Sequence, residues 1–271
     1  MQYKHLEKLD EIPELSRLTR IPSPPRSLFI RGQFQSQLFA DCVAVVGSRR
    51  MTDYGRQVID KLIPKLVLQG KTIVSGFMYG VDQYAHRICV AAGGKTIAVL
   101  GWGIDISLDP VDQQLAQDIL NSGGLIISEW KNQLGTLWTF PVRNRIVAGL
   151  SQEIYVIEAA EKSGSLLTAE LGLKFHKKIW AIPGPITSKT SYGTNTLIKT
   201  GKAEMWLGDR PIAAPSSTDP ILRLLVSEPL STNDIARRLK QPVAQVGARL
   251  STLELTNQIS LTQGKYHPNL C

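Results

Sequence analysis

From residue 41 to residue 182, short apolar segments alternate with longer amphipathic segments, and this alternation limits the fold more than any other feature of the sequence. The apolar segments are continuous runs, as in Cys42-Val43-Ala44-Val45-Val46. Such strands are buried on both faces, which is typical of a parallel sheet between two layers of helices. The pattern therefore predicts a doubly wound α/β fold. Strands are predicted over residues 42–47, 72–76, 96–101, 125–128, 153–158 and 179–182, and helices over residues 54–69, 82–92, 111–121, the stretch after 145, and 167–176.

The sequence on either side of this alternation predicts three further segments. Residues 1–37 are polar with scattered leucines, and Pro22-Ser23-Pro24-Pro25 forbids a continuous helix. We therefore expect an N-terminal arm that packs on the main domain, residues 38–209. Residues 210–218 have the composition of a linker. Residues 219–271 predict three helices, one of them capped by Ser231, and a hairpin around Gln263-Gly264, which together outline a winged helix.

The net charge indicates the class of binding partner, and the cysteines indicate the cellular compartment. Lys and Arg number 31 against 23 Asp and Glu, a formal charge of +8, and residues 218–271 hold only 6 of the basic and 4 of the acidic side chains. A positive excess favours nucleic acid or another polyanion as the partner. Cys42, Cys89 and Cys271 have no metal-like spacing, which predicts no zinc site and a reducing cytoplasm. No apolar run is long enough to insert into a membrane.

Three polar segments flank the predicted strands and helices of the large domain. They are Gly47-Ser48-Arg49-Arg50, Arg143-Asn144-Arg145 and Lys162-Ser163-Gly164-Ser165. The carboxyl ends of parallel strands share one edge of the sheet, so we expect these segments to converge. Tight glycine turns and helix N-termini present N–H groups to an anion, and arginine adds a fork of donors. Each segment alone could be a strand end or a solvated face, but together they predict an anion site.

Motifs for cofactor binding and covalent catalysis are missing from the sequence. Gly47-Ser48-Arg49 lacks the second glycine of the dinucleotide fingerprint, and Gly101-Trp102-Gly103 is not followed by the third. The sequence contains neither a Walker lysine loop nor a nucleophile elbow. We therefore expect a binding protein without cofactor, metal or catalytic residue.

Eight motifs, in this order along the chain, resemble those of the DNA-processing protein A family (DprA/Smf). They are GSRRMTDYG (47–55), SGFMYGVDQYAHR (75–87), VLGWGID (99–105), LIISEW (125–130), FPVRNRIVAGLS (140–151), EAAEKSGSLLTAELG (158–172), AIPGPI (181–186) and SYGTNTLIKTGKA (191–203). The resemblance covers roughly residues 20–205. The carboxyl-terminal segment is similar to the winged helix that many members carry.

The resemblance implies an extended Rossmann domain that binds single-stranded DNA in a basic pocket. It also implies a homodimer, and loading of the RecA recombinase onto incoming DNA during natural transformation. Carried over by motif, the pocket would consist of Ser48, Arg49, Arg143, Asn144, Arg145, Lys162, Ser163, Gly164 and Ser165. One position departs from the family pattern: Tyr79 stands where members commonly have arginine. This loses a possible phosphate contact, although a tyrosine can stack on a base.

Two alternative functions remain open at this point. A related Rossmann group, the nucleotide phosphoribohydrolases, uses a catalytic glutamate, and here Leu171 stands at its position. Glu161 or Glu170 would have to take over that role. A winged-helix regulator of duplex DNA is the other alternative, and it is disfavoured because Arg249 is the only basic residue in the third predicted helix, 242–255.

A dimer contact is expected in residues 191–205, where the resemblance places it and where the sequence predicts a short helix. Leu197 and Ile198 are adjacent and therefore point about 100° apart on a helix. One of them can face the core while the other stays partly outside. A two-fold dimer would bury the outer side chain twice.

Overall fold

The computed structural model describes residues 3–208, 219–256, 258–262 and 264–268. The chain divides into two compact units, Met1–Gly208 and Asp209–Cys271. The predicted linker, residues 210–218, lies outside the described residues. Within these ranges, no helix combines the length and the apolar character needed to cross a membrane.

The first unit is built on a nine-stranded sheet with the order β1-β2-β6-β5-β4-β3-β7-β8-β9. Strands β3 to β9 pair in parallel, whereas β2 is antiparallel to β6 and β1 to β2. The predicted α/β class and all six predicted strands are confirmed. The strands are β1 (Lys4–Leu6), β2 (Leu28–Arg31), β3 (Cys42–Val46), β4 (Thr72–Ser75), β5 (Thr96–Val99), β6 (Leu125–Ser128), β7 (Glu153–Val156), β8 (Lys178–Ala181) and β9 (Glu204–Met205).

Helices cover both faces of this sheet, which explains the continuous apolar strands. Along β3, Cys42, Ala44 and Val46 belong to one apolar cluster, while Val43 and Val45 belong to another. Residues of α5 and α6 join the first cluster, and residues of α2 and α3 join the second. The helices are α1 (Ser16–Thr19), α2 (Asp53–Leu68), α3 (Val81–Ala91), α4 (Pro110–Asn121), α5 (Thr139–Leu150), α6 (Gly164–Lys174) and α7 (Tyr192–Lys199).

The amino-terminal residues are an integral part of the first unit rather than an arm laid on it. Strands β1 and β2 extend the sheet at its edge, beyond β6. Leu15, Leu18 and Ile21 are buried in the first apolar cluster. Leu18 and Ile21 approach α5 closely because Gly149 has no side chain, and a Cβ added there would lie 2.9 Å from Leu18. The prolines do exclude a long helix, but the four-residue β2 was too short to recognise.

Helices α5 and α6 begin earlier than the sequence predicted, and this changes the setting of the basic residues. The predicted start of α5 after Arg145 is wrong, because the helix begins at Thr139 and contains the Arg143-Asn144-Arg145 segment. Pro141 is compatible with this, since residues of the first turn need no N–H donor. Helix α6 begins at Gly164, with Ser163 as its N-cap residue, so Gly164 and Ser165 belong to its first turn.

The second unit is the predicted winged helix. Its elements are α8 (Pro220–Ser227), α9 (Thr232–Leu239), α10 (Val243–Leu255), β10 (Ile259–Thr262) and β11 (Lys265–Pro268), the two strands pairing antiparallel. Ser231 caps α9 as predicted, because its Oγ accepts a hydrogen bond from the Asp234 N–H at 3.3 Å. Ile235, Val246 and Leu250 are fully buried in a core of its own.

Candidate nucleic-acid interface

The order of the strands reverses between β3 and β7, and the candidate site lies at the carboxyl ends of these strands. From β3 the chain proceeds outward through β4, β5 and β6, and then returns to the other side of β3 as β7. In open α/β sheets, ligands bind in the crevice at this kind of switch point. The segment Gly47–Arg50 follows β3, and the segment Lys162–Ser165 follows β7. The sheet therefore brings two of the three predicted segments to one crevice.

The loop after β3 is fixed against the start of α3. The N–H of Val81 donates to the Ser48 carbonyl at 3.1 Å, and the Ser48 Oγ accepts from the Arg50 N–H at 3.0 Å. Gly80 makes this contact possible, since its φ is 87° and a Cβ there would lie 2.4 Å from the Ser48 carbonyl oxygen. The loop is therefore held by its backbone, and the side chain of Arg49 is left free to face outward.

Arg49 is exposed and stands between two aromatic rings. Its guanidinium carbon lies 5.2 Å from the ring centre of Phe140 and 5.9 Å from that of Tyr79. Both rings hold the guanidinium by cation–π attraction without using its N–H donors. In the described part of the chain no carboxylate pairs with Arg49. Its donors are therefore available to an anion.

Arg143 points inward, which differs from its predicted role as a pocket residue. It is 3 % exposed, and its Nη1 donates to the carbonyls of Gly76 and Val99 at the ends of β4 and β5. Burial lowers the pKa of Arg143 to about 10, against the opposing effect of Asp82, so the guanidinium stays charged at neutral pH. Burial also raises the pKa of Asp82, which the charge of Arg143 opposes. Arg143 therefore joins strand ends and positions α5.

Asn144 and Arg145 are held by neighbouring loops. The Asn144 side-chain amide donates to the Gly164 carbonyl at 3.2 Å and so connects α5 with the start of α6. The Nη2 of Arg145 donates to both carboxylate oxygens of Glu129, at 2.6 and 2.9 Å. Glu129 directly follows β6. Both side chains remain partly accessible, but the charge of Arg145 is already paired, on the side of β6.

The segment Lys162–Ser165 forms the wall on the β7 side. Lys162 has a φ of 61° and is exposed, so the chain turns sharply into α6. The hydroxyls of Ser163 and Ser165 lie 2.9 Å apart. In the first turn of α6, the N–H groups of Gly164 and Ser165 have no acceptor within the helix. Such groups favour an anion at the helix N-terminus. The predicted serine–glycine turn is present, although Ser165 itself is buried.

Two features of the site were missed by sequence reasoning. The first is Trp138, which is 53 % exposed beside Leu137, which is 94 % exposed. The ring of Trp138 meets that of Trp130 edge to face, with 5.8 Å between their centres. The second feature is Glu158, which is buried and accepts from the N–H and hydroxyl of Thr52. The clustering of aromatic residues ahead of Arg143 was the available signal for the first.

The acidic residues of the enzyme alternative lie apart from any prepared catalytic arrangement. Glu161 and Glu170 are exposed, and neither carboxylate accepts a hydrogen bond from a described residue. The buried carboxylate of Glu158 is already engaged by Thr52. Over residues 3–208 and the described parts of the second unit, no group of three or more His, Cys, Asp or Glu could hold a metal ion.

Comparison with protein families decides the identity of the chain. The family model described as DNA recombination-mediator protein A matches residues 7–214. The chain belongs to this family. A second model, the DprA winged helix domain, matches residues 209–265.

Curated relatives and solved structures agree with this assignment. Protein Smf of Escherichia coli (strain K12) is 34% identical over 267 residues, covering 89% of this chain and 71% of its own length. Protein Smf of Synechocystis is 38% identical over 218 residues, covering 78% of this chain but only 54% of its own length. The chain thus spans about half of that relative.

Two structures of family members share the fold. DNA processing protein A of Streptococcus pneumoniae aligns with a TM-score of 0.66 at 35% identity, covering 76% of this chain and 71% of its own. The Helicobacter pylori protein aligns with a TM-score of 0.67 at 32% identity, covering 76% of this chain and 91% of its own. That second structure is described as giving insights into the single-stranded DNA binding mode of the Helicobacter pylori protein.

Proposed function

We propose that this DNA recombination-mediator family member binds single-stranded DNA in the crevice between the loops after β3 and β7. The observation that carries the proposal is the guanidinium of Arg49, which is exposed, held between Phe140 and Tyr79, and without a carboxylate partner in the described residues. A cation flanked by aromatic faces suits a strand whose phosphates need charge and whose bases need stacking surfaces.

The residues of the crevice divide into contact and positioning roles. Ser48, Arg49, Lys162, Ser163 and the first-turn N–H groups of Gly164 and Ser165 would contact phosphates. Arg143 and Asn144 would position the walls, since their donors are used within the protein. Arg145 would contact DNA more weakly, because its guanidinium is already paired with Glu129. Trp138 and Tyr79 would stack on bases.

The family assignment supports the wider role. We propose that the protein loads a RecA-type recombinase onto incoming single strands in natural transformation, acts as a homodimer, and works in the cytoplasm as a binding protein rather than an enzyme. Support comes from family membership, from the DNA-binding relative, and from the unpaired, buried Cys42 and Cys89. A test for phosphate–ribose cleavage of nucleoside monophosphates would reveal activity if the enzyme alternative held.

The binding proposal is tested with single- and double-stranded oligonucleotides at two salt concentrations. Arg49→Ala should weaken single-strand binding equally for all sequences and reduce the salt slope by about 0.7. The effect of Arg145→Ala should be smaller, because Glu129 already pairs with this charge. Arg20→Ala is the control, because Arg20 is exposed and lies beside Leu18 and Ile21, which pack at the carboxyl-terminal end of α5, away from the crevice. Equal affinity of wild type and Arg49→Ala would reject the crevice as the site.

A further inference from the structure

A second basic surface adjoins the crevice and lies where the start of α2 faces α3. It is a cleft of about 290 Å³, and Arg49, Arg50, Arg56 and Arg87 line it together with Gln83 and Tyr84. No carboxylate is among the lining residues. We call this surface the arginine cleft. In the sequence, Arg50 appears only as the last residue of the Gly47-Ser48-Arg49-Arg50 segment, and Arg56 and Arg87 receive no role.

The backbone explains why four arginines meet there. Gly80 allows the loop after β3 to pack directly on the first turn of α3, which brings Arg49 and Arg50 to that helix. Gln83 and Arg87 are four residues apart and therefore share one face of α3. Arg56 lies in the first turn of α2, opposite them. The cleft is thus built on two helices and a loop held by backbone hydrogen bonds.

The carboxylates around the arginine cleft offset part of its positive charge without pairing with most of its arginines. Asp60 accepts from the Tyr84 hydroxyl at 2.8 Å, and Asp112 accepts from the Gln83 amide at 2.7 Å. Asp53 lies 3.8 Å from Arg56, but its side chain is 99% exposed, so this pair is weak. Among the residues that the structure describes, no carboxylate forms an ion pair with Arg50 or Arg87.

The chemistry of the cleft favours phosphate over a nucleobase. Arginine forks match the oxygens of phosphate and can bind them in pairs. The one aromatic ring in the cleft, that of Tyr84, already has the guanidinium of Arg56 5.5 Å from its centre. A base would have to displace Arg56 to stack there. The ligand expected from these contacts is therefore a phosphodiester backbone read without regard to sequence.

We propose that the arginine cleft holds the backbone of the same DNA strand where it leaves the crevice, with Arg49 belonging to both surfaces. This inference rests on the proposed function, since it extends the path of the strand bound there. Arg49 connects the two because its guanidinium stands beside Phe140 of the crevice while it also lines the cleft. The site would add contacts only for strands long enough to reach past Arg49.

The test compares a short and a long oligothymidylate, about 4 and about 16 nucleotides, spanning the usual range of single-strand sites. In the full-length protein, Arg56→Gln with Arg87→Gln should weaken binding of the long strand about three- to tenfold and reduce its salt slope by about 0.7 for each lost contact. Binding of the short strand should not change. Arg20→Gln is the matched control, and a thermal melt checks that every variant is folded.

The outcomes separate this inference from the function on which it rests. If Arg49→Ala weakens both strands while the double variant binds the long strand like wild type, the cleft is rejected and the crevice stands. If wild type binds neither strand, both proposals fail. Inorganic phosphate provides the last arm. If wild type binds phosphate and the double variant does not, while both bind the long strand equally well, the cleft is a small-anion site and its assignment to the DNA strand is wrong.

Discussion

His86 is a buried side chain whose protonation state follows from its neighbours. Its Nδ1 lies 2.7 Å from the Thr96 hydroxyl, and that hydroxyl donates to the Ile73 carbonyl. Because the hydroxyl proton is used there, Nδ1 carries the imidazole proton and Nε2 does not. Within the described residues Nε2 has no hydrogen-bond partner. Burial, helped by the charge of Arg143, lowers the pKa of His86 to about 3.

This lowered pKa makes the stability of the fold dependent on pH. Below the ordinary pKa of 6.5, the unfolded chain binds a proton that the folded chain refuses. The free energy of unfolding should therefore fall as the pH falls, by about 1.4 kcal/mol per unit below that value. His86→Gln keeps a donor for Thr96 but cannot titrate. The free energy of unfolding, measured with denaturant between about pH 7 and pH 5, should fall less steeply with falling pH for the variant than for wild type. The same pH dependence in both proteins would contradict the prediction.

Arg143 and Arg145 show how far single residues of the site could be predicted. Residues two positions apart in a helix point about 200° apart, so these two side chains cannot point the same way. The sequence treated them as one basic loop, because α5 was expected to begin after Arg145. Once the helix includes both, one must turn inward, and Arg143 does so beside Asp82. The position of Arg49 could be predicted without the bounds of α5, since it follows directly from the end of β3.

At the scale of elements, Gly80 determines how the loop after β3 meets α3. We predict that Gly80→Ala will displace this loop, because its Cβ would lie 2.4 Å from the Ser48 carbonyl oxygen and 2.6 Å from that of Arg49. Single-strand affinity should fall at least about tenfold, in line with the cost of misplacing a binding group. Binding titration and a thermal melt together measure the effect.

Gly93→Ala is the matched control for this substitution. Gly93 has a φ of 72°, close to the 87° of Gly80, but nothing lies within 4 Å of its added Cβ. Gly93→Ala should lose about 1 kcal/mol of stability from its positive φ. Gly80→Ala should lose more, because the φ of 87° and ψ of −132° at Gly80 form a combination that only glycine adopts readily. Only Gly80→Ala should also lose affinity. Equal affinities of the two variants would show that the loop does not depend on this contact.

The elements themselves were predictable where the apolar pattern was long and regular. The parallel strands are buried on both faces and read as continuous runs, so all six were found. Strands β1 and β2 were missed, because they are three and four residues long and follow a proline-rich stretch. The early start of α6 was missed for a different reason: glycine and serine in a first turn resemble a loop in sequence.

At the scale of the molecule, the two units have separate cores and can be tested separately. We predict that the fragment ending at Gly208 folds and keeps most of the single-strand affinity, because the crevice and its supporting residues all lie within the first unit. The second unit carries little net charge to add to binding. Circular dichroism of the fragment and binding titration beside the full-length protein measure both properties. If the fragment is folded but hardly binds single-stranded DNA, the second unit is needed for binding and the prediction is wrong.

The proposed homodimer is tested on α7, where Leu197 and Ile198 point in different directions. Leu197 is buried at 5 % exposure, whereas Ile198 is only partly buried against the same cluster. This matches the expectation that one faces the core and the other stays partly outside. In a two-fold dimer, a glutamate at position 198 would meet its own symmetry mate or be buried without a partner. Ile198→Glu should therefore separate the protomers.

Two variants of the same helix make the result of Ile198→Glu interpretable. Leu197→Glu should unfold the protein, because it buries a charge in the core. Thr196 is exposed, so Thr196→Glu should change neither the mass measured by light scattering nor the melting temperature. Light scattering beside thermal melts should show a monomer with a near-native melt only for Ile198→Glu. A wild type that is already monomeric at high concentration would reject the homodimer. An Ile198→Glu protein that stays dimeric would place the contact elsewhere, because a charge cannot remain in an apolar interface without opposing it.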